Sequence, residues 1–90
     1  MHSPENLFPF EQDVWAKTVA RLQFSKQHAR VAECLFHGMG DKQIASEMFL
    51  SIHTVRIYLR RMGRLLKAQG RTELILRIVA VAQQVQRDQS

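Results

Sequence analysis

A single cysteine, Cys34, is present among 90 residues, so the chain cannot close an internal disulfide. With no second cysteine nearby it also forms no zinc site of the usual spacing. Proline occurs twice, at Pro4 and Pro9, both ahead of the first helical pattern, so nothing after Pro9 forbids helix. No apolar run nears the roughly 20 residues that cross a bilayer. The opening MHSPENLFPF lacks the basic end and apolar stretch of a signal peptide, so the expected location is cytoplasmic, with no membrane partner. Alternation of apolar and polar residues between turn residues is missing, which argues against strands. There is no internal repeat, no low-complexity tract, no glycine-rich phosphate loop, and no nucleophile with a positioned base. His28, His37 and His53 share no ligand spacing with one another or with Cys34. The expectation is a non-enzyme without metal or cofactor.

What the chain has is an ordinary globular composition, 46% apolar and 23% charged, with an extraordinary charge layout. The formal charge is +5, but residues 1 to 24 carry a balance of −1 and the remainder +6. Arg56, Arg60, Arg61, Arg64, Lys67 and Arg71 stand between Ser51 and Arg71 with no acid among them. Such a segment suits a polyanionic partner.

Apolar positions recur at three and four, which predicts an all-α fold. A first amphipathic helix is expected from about Phe10 to Gln23, turning Trp15, Val19 and Leu22 inward with Val14 and Thr18 beside them. A second starts after the N-cap Ser25, gathers Ala29, Val31, Ala32, Leu35 and Phe36, and stops at Gly38 with Met39 folding back. Cys34 sits at the edge of this arc as a small core residue. A short third helix is expected to be capped by Asp41 and to bury Ile44, Ala45 and Met48. Ser51 caps a long fourth helix from Ile52 to about Ala68. At about 100° per residue, Val55, Leu59, Met62 and Leu66 make one face, and His53, Arg56, Ile57, Arg60, Arg64 and Lys67 the opposite one. Gly70 breaks the chain before a last helix from about Arg71 to Gln86, whose wide apolar arc exceeds one packing contact and points to a second copy. A short turn between two helices, the second basic and outward-facing, is the geometry that fits a helix into the major groove of B-DNA.

The stretch from Phe24 to Leu74, FSKQHARVAECLFHGMGDKQIASEMFLSIHTVRIYLRRMGRLLKAQGRTEL, resembles the LuxR-type (GerE-like) helix-turn-helix domain without gaps. The Ser25 cap, the Gly38 stop, the DKQIA run, the FLS turn, the TVR opening and the GRTEL start occur in the family's order and spacing. The resemblance implies a four-helix domain, residues 24-90, preceded by an extension, residues 1-23, with one extra amphipathic helix. It implies a bacterial transcription regulator that binds double-stranded DNA as a homodimer. Carried over position by position, Arg56, Ile57 and Arg60 are the expected base contacts. Ser51, His53, Thr54, Tyr58, Arg61, Arg64 and Lys67 are the expected phosphate contacts, with Arg71 near them. Leu76, Val79, Ala80 and Gln83 are the expected dimer interface. The sequence departs from the family at His28 and Arg30, where Glu is usual, and at Tyr58, where His is common. Gly63 replaces a bulky apolar residue, Leu65 replaces Lys and Lys67 replaces Gly. Gly63 should weaken the second half of the fourth helix by about 1 kcal/mol. Leu65 and Tyr58 share a flank that the N-terminal helix with Trp15 is expected to cover.

A second reading keeps the helix-turn-helix shape but turns it to protein binding, with RNA polymerase or another regulator as partner. Salt separates the two, because phosphate contacts weaken steeply with ionic strength and apolar contacts do not.

Overall fold

The structure, a computed structural model, describes residues 8–89; the first seven residues of the expected extension lie outside them. Five helices follow in chain order: α1 Gln12–Leu22, α2 Lys26–Phe36, α3 Asp41–Met48, α4 Ile52–Leu66 and α5 Arg71–Asp88. No strand occurs among the described residues. Several helix ends have local causes. Ser25 Oγ accepts from the His28 amide at 3.1 Å, and Ser51 Oγ accepts from the Thr54 amide at 3.0 Å, so both serines act as the N-caps the sequence announces. α2 stops in a Schellman turn, with the Met39 amide bonded to the Cys34 carbonyl at 3.1 Å and Gly38 at φ 76. α1, α3 and α4 stop the same way without glycine, on Gln23, Phe49 and Lys67 in the left-handed region.

Two expectations about helix ends are corrected. Asp41 is not the cap of α3. Gly40 holds that position, its amide donating to Gln43 Oε1 at 2.9 Å, and Asp41 is the first helical residue, which frees its carboxylate for tertiary contacts. α4 ends at Leu66 rather than near Ala68, because Lys67 adopts φ 55 and the Ala68 amide returns to the Gly63 carbonyl at 2.8 Å. Gly63 itself is buried and helical, so α4 runs through it. A Cβ there would stand 3.0 Å from the Ala68 carbonyl oxygen, so the close return of the chain accounts for the small residue.

The core is a single apolar cluster to which every helix contributes. Val31, Ala32, Ile44, Val55, Met62 and Ile78 are fully enclosed, and Trp15, Leu22, Leu35 and Leu74 close it off. Cys34 belongs to it, and burial pushes its thiol pKa up. α3 packs on α4, and α4 also leans on α2 and α5. α1 lies chiefly along α5, which absorbs part of the apolar arc expected to meet a second copy. It buries Val14, Trp15, Thr18 and Leu22. Among the described residues Thr18 is the one buried polar side chain, its hydroxyl donating to the Val14 carbonyl at 2.7 Å. Trp15 meets Phe8, Phe10 and Phe36 edge-on or stacked, and its indole N–H donates to Glu33 at 3.1 Å. The expectation that α1 covers Leu65 and Tyr58 is therefore overturned. Leu65 is 52% exposed, and the Tyr58 ring meets His28 of α2 at 5.5 Å. The rings of Phe8, Phe10 and Phe36 around Trp15 hold the apolar face of α1 away from that flank of α4.

Candidate nucleic-acid interface

α3, the turn 49-51 and α4 form the helix-turn-helix pair. Leu50 bonds back to the Ala45 carbonyl at 2.8 Å, which folds the chain sharply enough for Ser51 to start α4 against α3. Ser51 also donates its hydroxyl to Thr54 Oγ1 at 2.9 Å, so the first turn of α4 is rigid. Phe49, on the outside of the turn, is 94% exposed.

α4 is divided lengthwise as its sequence foretells. Val55 and Met62 are fully buried and Leu59 and Leu66 half-buried, so the inward face is fixed over the whole length. On the outward side His53, Arg56, Arg60 and Arg64 are all exposed. With about 100° between successive residues, these four fall within a strip about 80° wide. Ile57, expected on the same face, is half-buried at the strip's far margin. Arg61 is exposed on the flank toward α2, and Thr54 and Tyr58 are half-buried there. His28 lies under that flank, and burial, helped by the Arg61 charge, lowers its pKa. Ser51 is exposed at the α4 N-terminus, where unpaired amides favour anions. Lys67 is exposed but beyond the helix end, so it leaves the strip in which the sequence placed it.

The six basic residues of this segment are not equivalent. Arg60, Arg61, Arg64 and Lys67 make no ion pair among the described residues. Arg71, expected near phosphate, is half-buried and turned inward: it donates to the Met39 carbonyl at 2.9 Å and pairs with Asp41. Arg56 is outward but engaged, its Nε donating to Asp41 Oδ2 at 3.2 Å with 60% of its side chain still exposed. It stands at the edge of the basic strip nearest α3, which is why that carboxylate reaches it. Asp41 is thus a site residue that the sequence reading passed over. Its partners lie 15 and 30 positions away, a separation no periodicity reveals. Beside them, Arg60, Leu59, Gly63, Leu74 and the loop 68-70 line an open cleft of about 400 Å³.

Of the expected dimer residues, Leu76 is 61% exposed, Ala80 and Gln83 are exposed and Val79 is half-buried. They form a stripe on the side of α5 opposite Leu74, Ile78, Ala82 and Val85, which enter the core. No helix of the described residues is long and apolar enough to cross a membrane.

A family model described as bacterial regulatory proteins, luxR family (GerE), matches residues 22–78. Comparison with curated proteins and with solved structures gave no significant match. The matched span covers well over half of the chain and contains α2, α3 and α4 complete with the start of α5. The capped, one-side-buried basic helix and this match agree: the chain belongs to the LuxR-type (GerE) family, a family of DNA-binding transcription regulators and not of enzymes.

Proposed function

We propose that the chain is a sequence-specific regulator that binds double-stranded DNA as a homodimer, with α4 lying in the major groove. The observation that carries this reading is the division of α4 into a buried face and a strip of exposed Arg56, Arg60, Arg64 and His53. A helix with side chains is about as thick as the major groove is wide, and guanine edges offer acceptors that guanidinium donors match. Arg60 and Arg56 are assigned to base edges, with Ile57 against a thymine methyl. Ser51, His53, Thr54, Tyr58, Arg61, Arg64 and Lys67 are assigned to phosphates on either side. Residues 24-90 make up the DNA-binding unit, and α1 is an extension built into the same core. Leu76, Val79, Ala80 and Gln83 are assigned to the contact between two copies, which places two α4 helices on a roughly palindromic site. The protein then acts where the DNA is, in the cytoplasm.

Selection from a random duplex library tests the reading. The protein enriches one sequence with two half-sites, and Arg60→Ala and Arg56→Ala each lower affinity for it by about 1–3 kcal/mol. Binding to a scrambled duplex falls much less. Enrichment of no sequence, or variants that bind the selected one as the parent does, contradicts it. Leu76→Glu, on an exposed position, leaves the melting temperature nearly unchanged and converts the dimer to a monomer in sedimentation.

A further inference from the structure

Asp41 occupies an odd place for an acid. Among the described residues it is the one carboxylate that pairs with a basic residue of α4, it is three-quarters shielded, and it joins three helices. From the first turn of α3 its Oδ1 takes Arg71 of α5 and its Oδ2 takes Arg56 of α4. Arg71 is in turn held by the Met39 carbonyl at 2.9 Å. The carboxylate is therefore clamped from behind and cannot follow Arg56 if that side chain swings away. The bond to Arg56 runs through Nε alone, and its two terminal amino groups make no hydrogen bond among the described residues.

Such a side-on bond does two things to an arginine. It removes most of the rotamer freedom that a long side chain otherwise loses on binding. It also fixes the plane of the guanidinium with the two terminal amino groups pointing outward, the pair that meets guanine N7 and O6 together. The carboxylate's own charge adds a third effect, since it offsets part of the attraction of this edge of α4 for any phosphate, whatever the sequence.

We propose that Asp41 is a positioning residue for base recognition: it aims Arg56 at one base pair and discourages that arginine from settling on the backbone. The inference rests on the assignment of Arg56 to a base edge, and the test separates the two. Affinities of the full chain are measured for the duplex selected by the parent and for every single base-pair substitution of it. Arg56→Ala relaxes preference at one position of each half-site. Asp41→Asn relaxes the same position, by about tenfold for a lost bidentate contact, while its affinity for scrambled duplex stays equal or rises. In the Arg56→Ala background Asp41→Asn changes no preference further.

A purely structural role predicts instead a lower melting temperature with the preference profile unchanged, and that result overturns the proposal, as does a loss spread evenly over all positions. If Asp41→Asn fails to fold, Asp41→Glu keeps the charge and the pair with Arg71 while displacing the carboxylate by one methylene. It is then expected to relax that position alone, and an unchanged profile overturns the proposal. Should Arg56→Ala relax no position, the base assignment of Arg56 fails and the role of Asp41 falls with it. If Arg56→Ala relaxes one position and both Asp41 variants none, only the role of Asp41 fails.

Discussion

Lys67 ends α4 in the left-handed region at φ 55, a conformation that glycine adopts freely and that costs an L-residue roughly 1–2 kcal/mol. The departure from the family's usual glycine therefore exchanges stability for a charge beside the exposed basic strip of α4. Lys67→Gly should raise the denaturation midpoint by the equivalent of about 1 kcal/mol while weakening DNA binding by no more than one phosphate contact. His28 behaves as a second local weak point. Its folded pKa lies below its unfolded one because burial, with Arg61 beside it, opposes the charged form. The unfolded chain thus binds the extra proton first, and the stability present above the ordinary histidine pKa is lost as pH falls through that value toward the lower folded one. Thermal melts across that range should show a decline that His28→Gln reduces. Cys34, with its thiol pKa pushed up by burial, should resist alkylation in the native protein and react only on unfolding. Its core role was legible in the sequence, from its place at the margin of the α2 arc. The role of Asp41 was not, since an acid just ahead of a helical pattern reads locally as a cap, and only the tertiary approach of α4 and α5 gives it Arg56 and Arg71.

At the scale of the elements, the number of helices, the serine caps and the two faces of α4 follow from patterns within a dozen residues, and these the sequence displays. Which helix packs on which is decided by surfaces far apart in the chain. In the sequence, Tyr58 and Leu65 share one flank of α4, which reads as a place for α1. Instead Trp15 and its neighbours Phe8 and Phe10 meet Phe36 of α2, and the helix lies along α5. Arg21 adds an ion pair to Asp88 at 3.1 Å, though exposed pairs of this kind contribute little. α1 is consequently part of the fold. Trp15→Ala should destabilise by about 3–5 kcal/mol, measured by denaturant unfolding. Deleting residues 1-23 should lower the melting temperature sharply, because Ile78, Ala82 and Val85 lose cover. An unchanged melt after that deletion contradicts the packing described.

The described residues form a flattened body of about 40 × 34 × 21 Å with a Cα radius of gyration of 13.0 Å. Glu11 and Asp13 lie at the start of α1, and Arg60, Arg61, Arg64 and Lys67, without an ion pair among the described residues, lie along α4 and just beyond it. One surface thus attracts a polyanion, while α5 leaves Leu76 exposed on another. The salt dependence of binding to duplex DNA tests this arrangement most directly. If each copy in a dimer neutralises several phosphates, log affinity falls linearly with log salt, by about 10³ to 10⁵ between 50 and 200 mM for six to ten contacts. Replacing Arg61, Arg64 and Lys67 together by Gln should flatten the slope by about 0.9 for each contact removed. An affinity that barely responds to salt, or a slope that the triple replacement leaves unchanged, contradicts the assignment of α4 to DNA.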